Sequence, residues 1–140
     1  MTDCVFCAIV DDDLPSHTVH ETENALAFLD ANPLAEGHTL VIPKDHHERL
    51  ADVPAETARD FYAAVQEVVP AVEAAVDAPA TTVAVNNGEA AGQEVPHVHA
   101  HVVPRFENDS AGPIHALFRD RPSVSESRQE ELVADIDTRL

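Results

Sequence analysis

From His97 to Val103 polar and apolar positions alternate one by one. His97, His99 and His101 are separated by Val98 and Ala100 and followed by Val102 and Val103. Period two is the mark of a strand, whose successive side chains point to opposite faces. The pattern therefore predicts a half-buried strand with three imidazoles on one face, roughly 6.7 Å apart per two residues. Val98, Ala100 and Val102 would pack behind them.

The rest of the chain reads in the same way. "HTVHET" and "ALAFLD" predict two strands about a turn near Glu23-Asn24, and "HTLVIP" a third after the turn carried by Pro33 and Gly37. From about Val53 to Ala78, Phe61, Val65, Val68, Val72 and Val76 recur every three or four residues, the period of an amphipathic helix. Asp52 is its predicted N-cap, and Pro70 predicts a kink or break. "TTVAVNN" reads as a fourth strand, followed by a loop with Gly88 and Gly92 and then the histidine strand to Phe106. "CVFCAIV" predicts a short first helix ended by Asp11 to Asp13 and Pro15, and Leu132, Val133 and Ile136 mark a helix in the tail. Strands in succession with one helix inserted indicate an α+β chain built on an antiparallel sheet of about five strands.

Composition narrows the class. A chain of 140 residues has the size of one domain with a real core. It has no run of the 18 or so apolar residues that a membrane span needs, and its first residues lack the basic-then-apolar order of a secretory signal. Two cysteines do not make a disulfide framework, so a reducing, cytoplasmic setting is expected.

Charge changes the picture more. Thirteen Asp and thirteen Glu stand against seven Arg and the single Lys44, a net charge of −18. Such crowding is repulsive in dilute salt, and molar salt screens it. Abundant Ala, Val and Asp with almost no lysine points to the cytoplasm of a salt-in halophile. The same charge argues against a broad nucleic-acid surface, which needs several Lys or Arg on phosphates. A phosphate-bearing ligand would have to be small and held locally.

His17, His20 and His115 read as exposed or simply hydrogen-bonded, and His38, just before a strand, as structural. Three histidines in alternation call for chemistry. One reading is a three-imidazole metal site with an open position. The other is nucleophilic catalysis, one imidazole attacking phosphorus while its neighbours set tautomer and charge. "CVFC" adds Cys4-x-x-Cys7, which is a zinc-knuckle spacing, a redox pair, or two unpaired buried thiols.

Upstream, "NNGEAAGQEV" is a Gly-rich loop whose backbone N–H groups can approach phosphate closely. Together with "AFLDANP", "GHTLVIPKDH" and His-x-His-x-His followed by two apolar residues, it resembles the histidine triad family of nucleotide hydrolases and transferases. The likeness is strongest to the branch of small nucleotide-binding phosphoramidases. The resemblance covers roughly Asp3 to Phe106 and implies a histidine triad domain over 1–106, possibly to 112. Residues 107–140 would form a C-terminal extension whose helix packs on the domain or a dimer partner.

That resemblance implies His99 as the nucleophile that takes the α-phosphoryl group of a small purine nucleotide of the AMP or GMP type. His101 would contact the phosphate, and His97 would lie beside the nucleophile. It places Asp30 on the ribose hydroxyls, with Asn86, Gly92, Gln93 and Glu94 in the nucleotide-binding loop. Glu94 stands where many relatives have a serine that helps protonate the leaving amine; a carboxylate does this only if burial raises its pKa. The family also implies a structural zinc held by Cys4, Cys7, His46 and His97, with His47 left out. It implies a homodimer whose sheets join side by side. The activity implied is cleavage of nucleoside 5′-phosphoramidates through a nucleotidyl-histidine. Dinucleoside polyphosphate hydrolysis, or non-catalytic nucleotide or zinc-dependent partner binding on the same fold, are the alternatives.

The charge makes the first prediction. Melting temperature should climb steeply between about 0.1 and 2 M KCl, over which the screening length falls from about 10 Å to less than about 3 Å. A flat profile would remove the halophile inference. Light scattering at the high-salt end should return twice the mass of one chain.

Overall fold

The computed structural model describes residues 3–140. They form two compact units, divided after Asp109. The first carries helix α1 (Val5–Val10), strands β1 (Thr18–Glu21), β2 (Ala25–Leu29) and β3 (Thr39–Pro43), helix α2 (Ala55–Val76), and strands β4 (Ala80–Val85) and β5 (Ala100–Arg105). The strands make one antiparallel sheet in the order β1-β2-β3-β5-β4. The α+β reading of the hydrophobic pattern is borne out.

Strand parity divides the core in two. Ala25, Ala27, Val41, Val98, Ala100 and Val102 face α2 and pack against its Phe61, Ala64, Val65, Val68 and Val72. Leu26, Phe28, Leu40 and Ile42 face the other way, onto Cys4 and Phe6 of the N-terminal segment. The central strands are thus buried on both faces. Because Val98, Ala100 and Val102 belong to the α2 face, the alternating histidines turn to the α1 face.

Three local expectations are corrected. The histidine strand is shorter than its alternation suggests: β5 begins at Ala100, and His97 to His99 form a lead-in outside the ladder, with all of 97–100 buried. Ala100 pairs with Val41, two residues before Pro43, which has no N–H with which to continue a ladder. Val98 instead donates its N–H to the His47 carbonyl at 2.7 Å. Secondly, Asp52 does not cap α2. It sits in a 3-10 turn, Leu50–Asp52, and the residue flanking the helix is Pro54, without a side-chain cap. Thirdly, α2 runs unbroken through Pro70. Pro70 and Gln66, whose carbonyl loses its partner, both lie on the exposed face, so the missing bond falls where water can replace it.

The first unit closes where Asp109 folds back on the end of β5, accepting from Arg105 Nε at 2.7 Å and from the Phe106 N–H at 2.9 Å. The second unit holds a 3-10 turn, Ile114–Leu117, and helix α3 (Glu126–Asp137). Ser125 caps α3 by accepting the Arg128 N–H at 3.2 Å. No described helix is long and apolar enough to cross a membrane.

Candidate active site and metal centre

Cys4 is the N-cap residue of α1, with Cys7 one turn on. That turn faces the chain after β3 and the lead-in to β5, which supply His46 and His97. The Cys7 sulfur is 3.3 Å from His46 Nδ1, and His97 Nδ1 lies 3.5 Å from the Cys4 sulfur and 3.6 Å from that of Cys7. All four ligand atoms fall within 4.8 Å of one another. In a tetrahedral site with ordinary zinc–sulfur and zinc–nitrogen bonds, ligand atoms are about 3.3–3.8 Å apart, so the measured contacts fit.

The tautomer fits as well. His97 Nε2 is 2.7 Å from the Pro43 carbonyl and must donate to it, which leaves the Nδ1 lone pair facing the thiols. Burial lowers the His97 pKa to about 4, outweighing the Pro43 hydrogen bond that raises it. A neutral imidazole is what a metal ligand requires. His47 stays outside this group.

Two residues on, His99 is buried and its Nδ1 lies 2.7 Å from the backbone carbonyl of His97. A carbonyl only accepts, so Nδ1 carries the proton and Nε2 keeps its lone pair. The ring stands edge-on to Phe6, centroids 5.1 Å apart, and 5.0 Å from the ring of His101.

His101 is oriented by a residue that the sequence reading treated as structural. The Leu34 N–H donates to His38 Nδ1 at 3.0 Å, so the proton of His38 sits on Nε2. That Nε2 is 3.0 Å from His101 Nδ1 and donates to it. The proton of His101 is therefore on its own Nε2, as a free donor. His38 lies two residues before Leu40, the partner of His101 across the sheet. Strand parity along "HTLVIP" was the signal that could have found it.

Burial lowers the pKa of His38, against the opposing pull of Asp30. Burial, then the neighbouring His99 and His38, lower that of His101 to about 4, with Asp30 again opposing. Both rings are neutral near pH 7. Asp30 accepts the Asn32 N–H at 2.9 Å through one oxygen and lies 3.6 Å from His38 Nε2 through the other. It sits on the rim of the imidazole cluster.

The glycine loop is built for shape. Gly88 and Gly92 have φ of 105° and 96°, a region that side chains strain. Gln93 spans the loop: its Oε1 accepts the Gly88 N–H at 2.7 Å, and its Nε2 donates to the carbonyls of Glu48 and Val95 at 2.8 and 3.1 Å. Its amide thus holds the loop closed. Asn86 is half-buried, its amide toward Gly92. Gly92, Gln93 and Glu94 line a polar cleft of about 690 Å³ with Glu48 and Arg49. Glu94 is exposed.

The HIT domain profile matches residues 11–108. The chain belongs to this family. It is 42% identical over 106 residues to an uncharacterized HIT-like protein of Methanocaldococcus jannaschii, covering 76% of this chain and 81% of that one. It is 39% identical over 107 residues to the adenosine 5′-monophosphoramidase of Saccharomyces cerevisiae, 76% of this chain and 65% of the yeast protein. Among solved structures, a HIT family member from Bacillus subtilis superposes with a TM-score of 0.89 at 33% identity, over 99% of this chain and 98% of the other. A Zn-bound histidine triad family protein from Mycobacterium smegmatis gives 0.74 at 40%, again over 99% and 98%. HIT membership and the HIT fold are thereby both established for this chain.

The depressed pKa of His101 yields a prediction. Its folded value, about 4, lies below the ordinary 6.5, so protonation favours the unfolded chain. The neutral ring's contribution to stability is fully present above about pH 6.5 and is lost as pH falls toward about 4. In urea unfolding at high KCl, the parent should lose more stability between pH 7 and 4.5 than His101→Asn does. Equal losses would contradict this account of the ring.

Proposed function

We propose that the protein hydrolyses nucleoside 5′-phosphoramidates, or transfers their nucleotidyl group, through a covalent intermediate on His99. The observation that carries this reading is the fixed tautomer of His99, which presents a basic Nε2 beside a donor on His101. In the first step the Nε2–phosphorus bond forms and the phosphorus–nitrogen bond breaks, with the leaving amine taking one proton from solvent. In the second, water attacks phosphorus, the Nε2–phosphorus bond breaks, and the water's proton is released.

Charge is handled by two groups. As Nε2 bonds to phosphorus the ring becomes positive, and the His97 carbonyl that holds its Nδ1–H stabilises that charge. His101 Nε2–H donates to a phosphate oxygen as negative charge builds there. Asp30 holds the ribose, and the backbone around Gly92, with Asn86, faces the nucleotide. Two relatives, the adenosine 5′-monophosphoramidase of Saccharomyces cerevisiae and an adenylylsulfatase of Arabidopsis thaliana, support an adenylyl group as the transferred unit. Glu94, exposed beside Glu48, favours an amine leaving group protonated by water rather than by the loop. Cys4, Cys7, His46 and His97 would hold a zinc ion that ties the start of α1 to the sheet. The working form is a homodimer in the cytoplasm of a salt-in halophile.

His99→Ala should abolish turnover of adenosine 5′-phosphoramidate while AMP affinity stays within about tenfold of the parent. His101→Ala should slow it by roughly 10²–10³, the cost of one charge-stabilising donor. Mass spectrometry of the quenched parent should find AMP on the peptide containing His99. Substantial turnover by His99→Ala, with no adduct on the parent, would sink the proposal.

A further inference from the structure

The candidate metal centre meets the nucleophile through one of its ligands, His97, and through Phe6, which lies between its two cysteines. His97 commits three groups in three directions. Nδ1 faces the Cys4 and Cys7 sulfurs, Nε2–H holds the Pro43 carbonyl, and its backbone carbonyl takes the Nδ1–H of His99. Phe6 lies in the turn between the two cysteines, and its ring meets those of His97, His99 and Phe28 edge-on at 5.8, 5.1 and 5.6 Å. The carbonyl that fixes the tautomer of His99 thus belongs to one metal ligand. The ring packed on His99 belongs to the segment that carries two others.

α1 cannot hold that position unaided. It has six residues and one buried side chain, Phe6, and a helix of this length has no stability of its own in water. The thiol–imidazole cluster and the Phe6 contacts tie its first turn to the sheet, while Ile9 and Val10 pack part-buried on the same core further along. Nucleotide-binding candidates are held differently. Asp30 bonds within its own turn and, through its N–H, to the His38 carbonyl, and the glycine loop closes through Gln93. None of these bonds involves α1.

We propose that Cys4, Cys7, His46 and His97 form a positioning device for His99. Closed around a zinc ion, they hold the His97 carbonyl and the Phe6 ring where His99 aims Nε2 at phosphorus. Opened, they slow transfer to His99 while nucleotide affinity is kept. His97 and Phe6 are positioning residues, acting through His99. This inference rests on the reading of His99 as the nucleophile.

The test uses the full chain in high KCl with adenosine 5′-phosphoramidate as substrate and AMP as the binding probe. Parent protein purified without added metal should carry about one zinc per chain. Removing it with a chelator should lower the single-turnover rate of adduct formation at saturating substrate at least tenfold, with the AMP dissociation constant changed less than threefold. Reloading zinc should restore the rate. Phe6→Leu keeps all four ligands and should retain its zinc and its AMP affinity, yet form adduct at least threefold more slowly. A parent without metal, or a folded zinc-free chain that forms adduct at the parent rate, would overturn the proposal. If the zinc-free chain unfolds, Phe6→Leu decides alone, and parent-like rates in it overturn the proposal too. A loaded parent that turns over without adduct fails the nucleophile reading itself, and this inference with it.

Discussion

A 2.7 Å hydrogen bond from His99 Nδ1 to the carbonyl of His97 is the contact on which the chemistry of this molecule depends. An imidazole free to exchange tautomers offers a nucleophilic nitrogen in either of two directions. One whose Nδ1 is held by a carbonyl offers it in a single direction. The same device recurs at each neighbouring ring. Pro43 fixes His97, Leu34 fixes His38, and His38 fixes His101. Backbone groups, which cannot titrate, set the protonation pattern of His97, His99 and His38, and His38 passes it to His101. Burial, which depresses the pKa values of His38, His97 and His101, keeps those three rings neutral so that the pattern survives near pH 7.

The sheet makes this arrangement available because its centre is covered twice. α2 seals one face with Phe61, Val65, Val68 and Val72. That leaves the opposite face of the sheet free to collect His97 and His99 against Phe6, with His101 and His38 beside them. Parity does the sorting: His97, His99 and His101 alternate with Val98, Ala100 and Val102, which anchor the backbone in the α2 core. A one-residue slip of β5 would send the imidazoles into that core and the valines into the site.

Much of this was legible in the sequence. Period-two alternation gave the face of the imidazoles, and the 3.6-residue period gave α2. Cys4, Cys7, His46 and His97 come together as the family resemblance implied. What escaped the sequence was set by contacts between distant segments. β5 stops short of His99 because Pro43, on a neighbouring strand, cannot continue the ladder. Asp52 is taken up in a 3-10 turn ahead of α2, which leaves Pro54 at the helix start. The loop bonds of the Gln93 amide join it to Gly88, Glu48 and Val95, and His38 gains its role only through a ring on another strand. Local pattern predicts which face a residue takes, and only tertiary packing decides what it meets there.

The pattern of protonated nitrogens is directly measurable. Two-dimensional ¹⁵N–¹H spectra of histidine-labelled protein at pH 7 and high KCl report which ring nitrogen of each residue carries its proton. This account predicts His99 protonated on Nδ1 with a basic Nε2, and His38 and His101 both neutral and protonated on Nε2. Spectra with His99 protonated on Nε2, or averaging between tautomers, would contradict it.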